Sequence, residues 1–310
     1  MPHNRNSHTS HDSHHPRPLK SPDGLRHLFV TDLDGTLLDD TARVSPATAE
    51  ILSWLVERGV MFTVATARTP ATVERLFRNI PPSHSLPLIV MTGAAMWNRI
   101  EGCYESCHFL EPSMAEAVMN VCLSNGIHPF VYRFAPDDNR LLHVYHSPRL
   151  QRKEIEFLDE RRHLPLKRFH LVDDASVVET PLDGTLLFFT TGERNAIYRA
   201  ADTLRNSLGC AVSAYPDIYH RHIGIMEVFA PQVSKGAAVR DLARRVGADH
   251  ITVFGDNLND IAMMECAHTA VAVGNAQPRV KEYAHTVIGP NTTDSVARYI
   301  LRHFTGSETL

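Results

Sequence analysis

Two ten-residue stretches of the chain agree at seven positions, TDLDGTLLDD at 31–40 and TPLDGTLLFF at 180–189. The first carries Asp32 and Asp34; the second has Pro181 where the first acid stands. Two carboxylates this close repel unless a cation or a shared proton relieves them. An extended backbone would send both to one face, and Gly35 permits a sharp turn that keeps them at a rim. Further groups of matching chemistry follow apolar runs: Thr66, Ala67 and Arg68 in TVATAR, Lys235 in VSKG, and Asp256, Asn259 and Asp260 in VFGDNLND. Several acids, one lysine and one hydroxyl suit an anionic, oxygen-rich substrate held with a hard cation, and Mg²⁺ prefers such oxygen ligands.

These residues need a scaffold that gathers them, and the chain supplies the signals for one. Leu28 to Val30 form an apolar run that ends in Thr and Asp, as a buried parallel strand does at its carboxyl end. Ser45-Pro46 and Gly59 mark the two ends of a helix. VMFTVATAR, PATVERLFRNI and PLIVMTG read as strand, helix and strand; the rhythm resumes after residue 212 with SKGAAVRDLARRVG, ITVFGDNLND, DIAMMECA, TAVAVG, QPRVKEYA, HTVIG and DSVARYILRHF. Alternating strands and helices predict an α/β fold, a Rossmann-like parallel sheet with helices on both faces. Ligands collect at the carboxyl ends of such strands. Between the halves, runs such as PFVYRF, LLHVYH and TLLFFTTG predict an inserted α+β cap domain. The expected division is a disordered His-rich tail at 1–24, a core of 25–96 and 213–310, and the cap at 97–212. In the second decapeptide Asp183 precedes an apolar run instead of following one, which predicts a turn before a cap strand.

Composition narrows the function classes. With 310 residues, 43% hydrophobic and 21% charged, the chain reads as an ordinary globular protein. No apolar stretch reaches the roughly 18 residues of a membrane span, and the polar start has no signal-peptide core. A net charge of -4 argues against a general nucleic-acid binder. Five cysteines at irregular spacing suit reduced thiols and a cytoplasmic setting; Cys103, Cys107 and His108 form a weak metal pattern. Structural readings stand beside the chemical ones: Asp260 as a helix cap, Lys235 as a solvated lysine at a helix start, Arg68 as the partner of a surface acid, and His220 to His222 as a polar turn between cap and core. Phe130, Tyr132, Phe134, Phe188 and Phe189 read mainly as cap core.

DLDGTLL and GDNLND in this order, with TAR and SKG between them, resemble the haloacid dehalogenase-like phosphohydrolases, specifically the Cof-type subclass (IIB) with a large cap. The resemblance implies a Mg²⁺-dependent phosphatase acting on small phosphate esters, as a monomer or homodimer. It implies Asp32 as nucleophile, Asp34 as general acid and base, and Thr66 and Lys235 as catalytic groups that also bind phosphate. Ala67, Arg68 and Asn259 then contact substrate, and Asp32, Asp34, Asp256 and Asp260 surround the metal. A sugar-phosphate mutase of the same subclass and a non-catalytic regulatory relative are the alternatives. The chain departs from the family pattern at Ala67, usually Gly, at Thr92-Gly93, usually Asn-Gly, and in NTTDSVA, usually NEDGVA. Specificity is expected in the cap, with Arg133, Arg140, Arg149 and Lys167 as basic candidates.

Overall fold

The computed structural model describes residues 18–83, 86–135, 138–172, 182–217 and 220–310. The Pro181 end of the second decapeptide and most of the His-rich tail lie outside them. Strand β1 (His27–Thr31) is buried at every position, the pattern of a parallel strand covered on both faces. Ser45 caps α1 (Pro46–Glu57) by accepting from Thr48 N, with Pro46 in the first turn. Strand β2 (Met61–Val64), helix α2 (Pro70–Leu76) and strand β3 (Leu88–Val90) follow. Antiparallel β4 (Ala95–Asn98) and β5 (Cys103–Cys107) extend β3 into a three-stranded sheet.

Among the described residues, the next unit is a six-stranded mixed sheet with three helices. In chain order it comprises α3 (Pro112–Ser124), β6 (Phe130–Ala135), β7 (Asp138–His146), α4 (Arg152–Arg161), β8 (Lys167–Leu171), β9 (Thr185–Glu193), α5 (Arg194–Leu208), β10 (Ala211–Pro216) and β11 (Ile223–Phe229). Its strands run in the order β10-β11-β9-β6-β7-β8. The chain then returns through α6 (Lys235–Val246), β12 (His250–Gly255), α7 (Ile261–Met264), β13 (Thr269–Ala272), α8 (Pro278–Lys281), β14 (Thr286–Val287) and α9 (Ser295–Thr305). The first sheet is parallel throughout, ordered β14-β13-β12-β1-β2, and a parallel bridge from Ala65 to Ile89 joins it to β3.

This order decides where the site lies. From β1 the chain goes to β2 on one side, while β12 enters on the other, so the carboxyl ends of β1 and β12 adjoin at a topological switch point. Register pairs Thr31 with Phe254, which brings Asp32 and Asp256, both just past their strands, into one place.

The divisions expected after residues 96 and 212 fall inside β4 and β10. Because β10 and β11 pair with the six-stranded sheet, we propose that the inserted unit begins near residue 108 and ends at Phe229. His220 to His222 accordingly lie between β10 and β11, within the cap sheet and not between the units. Residues 18–24, grouped with the tail on composition, make core contacts: Leu19 N donates to Arg58 O, and Asp23 accepts from His27. Asp183 and Gly184 form a turn directly before β9, and Asp183 is exposed.

Candidate active site

β1 ends at Thr31, and Asp32 follows in an extended conformation, its N–H donating to Phe254 O at 2.9 Å. The chain then winds tightly through 33–37. Gly35 adopts φ 80°, and a Cβ there would lie 2.6 Å from an Asp256 carboxylate oxygen, so only glycine lets this turn pass so close to Asp256. The turn separates the two acids of the motif, contrary to the expectation of a shared face. Asp32 is buried, 6% exposed, whereas Asp34 is exposed.

Lys235 is the centre of the buried group. Ser234 caps α6 by accepting from Ala237 N, and the following Lys235 is 1% exposed. Its Nζ donates to Asp32 Oδ1 at 2.6 Å and to Asp260 Oδ1 at 2.7 Å. Burial disfavours the ammonium, but Asp260 and Asp32 outweigh it and hold its pKa above the usual lysine range. The lysine therefore stays charged. Burial drives the Asp32 carboxyl upward, Lys235 opposes it, and Asp260 adds to the rise. Asp256 is pushed up to about 6 by burial and by Asp260.

Asp260 does two jobs. Its Oδ2 accepts from the N–H groups of Asp256 and Asn257, both at 3.0 Å, while Oδ1 takes Lys235. One carboxylate thus accepts from the turn's N–H groups and also reaches Lys235. Asp32, Asp256 and Asp260 each present an oxygen within 4.8 Å of the others, and three carboxylates with one ammonium leave net negative charge for a hard cation. The Asp34 side chain, expected at the metal, is outside that group: Arg68 Nε donates to its Oδ2 at 2.8 Å and Nη2 to its Oδ1 at 2.5 Å. Thr66 is buried, and its Oγ1 accepts from Arg68 N at 3.1 Å, leaving the hydroxyl proton to donate. Asn259 is exposed on the turn after β12. Among the described residues Cys103, Cys107 and His108 form no metal group, and all five thiols are free.

Ala67, Arg68, Thr69 and Thr72 form one wall of a cavity of about 470 Å³ whose other wall is the cap. Of the basic cap candidates only Lys167 lines it; Arg133 instead donates to Asp183 O and stacks over Tyr145. Tyr132 and Phe189, read as core, face this cavity, as does Glu227. Sequence reasoning missed Glu227 because a single acid in an apolar strand carries no spacing signal.

A family model described as haloacid dehalogenase-like hydrolase matches residues 29–300. The chain belongs to this family. It is 26% identical over 284 residues to the pyridoxal phosphate phosphatase of Escherichia coli, covering 89% of this chain and 98% of that one. It is 28% identical over 291 residues to an HMP-PP phosphatase of Cronobacter sakazakii, covering 89% and 95%. In fold it resembles a solved Thermotoga maritima protein, with TM-score 0.70, 22% identity and coverage of 91% and 98%. A solved sugar phosphatase of subclass IIB gives TM-score 0.67, 20% identity and coverage of 88% and 97%. No helix among the described residues is long and apolar enough to cross a membrane.

Proposed function

We propose that the protein is a Mg²⁺-dependent phosphohydrolase that cleaves small phosphate monoesters, of the sugar-phosphate or cofactor- and nucleotide-type, through an aspartyl phosphate on Asp32. The observation that carries this reading is Lys235 held between Asp32 and Asp260, with Asp256 alongside, at the switch point of the parallel sheet. The named activities of the relatives, pyridoxal phosphate phosphatase and HMP-PP phosphatase, agree with it.

Each group has a task that its contacts allow. Lys235 donates to Asp32 Oδ1, which leaves Oδ2 to attack phosphorus and expel the ester oxygen. Asp34 protonates that oxygen as it leaves, then takes a proton from the water that hydrolyses the acyl phosphate. To do so its carboxylate must exchange Arg68 for the leaving group. The Thr66 hydroxyl donates to a phosphoryl oxygen, and Lys235 offsets charge on the same group. Asp32 and Asp256 would hold Mg²⁺, with Asp260 supporting them, and the bound ion would neutralise phosphoryl charge. Free thiols suit a cytoplasmic setting.

The test is phosphate release from a panel of small phosphate esters, with Mg²⁺ or with excess EDTA. Mg²⁺-dependent release that disappears in Asp32→Asn is the expected result. Full turnover in EDTA, or unchanged turnover in that variant, would overturn the reading.

A further inference from the structure

A second cavity, next to the one described above, is bordered by arginines. Arg43, Arg68, Arg75 and Arg78 line a space of about 550 Å³ between the loop that follows the 33–37 turn, α2 with the turn after it, and Leu164 of the cap. None of the residues around it is acidic, in a chain whose net charge is -4. Among the described residues, only Arg68 of the four forms an ion pair, with Asp34. Arg78 Nε donates to Arg75 O at 3.1 Å, and Asp39 accepts from the Arg43 N–H and not from its guanidinium.

Helix chemistry explains a part of this. Arg75 lies in the last turn of α2, where a cation complements the helix dipole. That gives no reason for Arg43, from a separate loop, and Arg68, which precedes α2, to border the same space. Like charges around one concavity repel and focus a positive potential there, and an anion relieves that repulsion. Guanidinium forks match the geometry of an oxyanion, bonding it by two parallel N–H groups. Asp32 and Lys235 do not border this space, so an anion here leaves the catalytic group itself open.

The two cavities meet at Arg68 and Thr72, which line both. Arg68 holds Asp34 through Nε and Nη2, and the same residue is the one arginine of the second cavity with a carboxylate to give up. An oxyanion bound there competes with Asp34 for it. We propose that this cavity binds a small oxyanion of two or more negative charges, either a free phosphate-like ion or the phosphoryl groups of a diphosphorylated compound, and that the bound anion draws Arg68 from Asp34 and lowers turnover. The binding stands on charge and shape alone; the effect on turnover rests on the phosphohydrolase reading above.

Binding is measured by calorimetry on protein freed of divalent ions over a chelating resin, with ionic strength held constant by chloride. In that state Asp32, Asp256 and Asp260 outnumber Lys235, and the catalytic group repels anions. The probes are inorganic sulfate, a single oxyanion, and methylenediphosphonate, whose two linked groups cannot be hydrolysed apart; the one that binds more tightly identifies the source. Arg75→Gln combined with Arg78→Gln should weaken that binding by roughly tenfold or more. Arg75→Lys with Arg78→Lys, which keeps both cations, should recover part of the loss. Turnover is then followed on the ester that wild type cleaves fastest, with free Mg²⁺ held fixed. The tighter anion should lower kcat by roughly tenfold at saturation, no more than Arg68→Ala does, with KM changed less. Competition at the catalytic group would instead raise KM alone. In the glutamine double variant kcat should no longer respond. No binding of either probe, or binding unaltered in that variant, would overturn the site. Binding with unchanged kcat would overturn the competition for Arg68. No turnover of any ester by folded wild type would overturn the phosphohydrolase reading and the effect on turnover with it, and the calorimetry alone would then decide the site.

Discussion

Arg68 holds Asp34 by both carboxylate oxygens, at 2.8 and 2.5 Å. The acid proposed to serve the leaving group is therefore held by Arg68, half-exposed, before any ester arrives, and must give up that contact to act. Removing its proton chemistry and removing its holder should have different signatures. Asp34→Asn is expected to lower kcat by roughly 10² to 10⁴, since an amide neither donates the carboxylic proton nor takes one from water. Arg68→Ala should cost less, on the order of tenfold, because the carboxylate remains. Asp183→Asn, in the matching decapeptide, should change the rate less than about twofold, since asparagine keeps the turn and Asp183 is an exposed residue ahead of β9. Steady-state assays on folded variants decide it. A loss at Asp183 equal to that at Asp34 would place the second decapeptide at the site.

Metal binding has a readout apart from turnover. Asp256 is pushed up to about 6 by burial and the nearby Asp260 charge, so the empty protein carries repulsion that a divalent cation relieves. Mg²⁺ at about 100 times its dissociation constant should stabilise the fold by about 2.7 kcal/mol, visible as a rise of several degrees in melting temperature. Asp256→Asn should abolish that rise and leave the metal-free protein at least as stable as wild type. An unchanged Mg²⁺ response in the variant would remove Asp256 from the metal site.

Most motif residues were legible because they follow an apolar run, and a strand end is where a parallel sheet exposes polar groups; Lys235 instead opens a capped helix. Their grouping was not legible. Nothing in residues 27–31 or 250–255 says that these strands are neighbours, yet that pairing is what sets Asp32 beside Asp256. The Asp34–Arg68 contact likewise depends on the turn through 33–37 leaving the strand direction, which the alternation of an extended chain does not foresee. The expected unit boundaries cut through two strands for a related reason. β4 and β10 are short strands of ordinary composition, and only their partners reveal to which sheet they belong. Lys167 and Glu227 looked like any charged residue in a strand until the two walls of the cavity were assembled.

Gly236 tests how Lys235 is positioned. A Cβ at this residue would lie 2.0 Å from the carbonyl oxygen of Ala262, so α6 and α7 meet backbone to backbone directly after the lysine. Gly236→Ala should destabilise the protein by about 1–3 kcal/mol, as overpacking does, and displace Nζ from Asp32. Denaturant unfolding and kcat, measured under conditions where the variant is folded, should both fall. A destabilised variant with unaltered kcat would show that Lys235 is placed by its ion pairs alone.

The last expectation concerns the opposite end of the parallel sheet, where histidines crowd together. The His27 ring lies 4.5 Å from both His250 and His303, and His250 lies 5.0 Å from His268, centre to centre. Burial lowers the pKa of His250 and of His303, His27 lowers both further, and Asp23 partly opposes this. Folded pKa values below the unfolded value of about 6.5 mean that the unfolded chain binds more protons in this range. The contribution of these residues is therefore fully present above about pH 6.5 and is lost as pH falls through their folded pKa values. Glu227, held up to about 7, and Asp256, pushed up to about 6, act in the other sense, while Lys167, brought down to about 7, acts in the same sense as the histidines, so the melting temperature of wild type alone mixes these effects. The difference between wild type and His303→Gln separates them, because Glu227, Lys167 and Asp256 are common to both. Between pH 7.5 and 5.5 the variant should lose fewer degrees than wild type. Equal losses, or a larger loss in the variant, would show that protonating this cluster does not oppose folding.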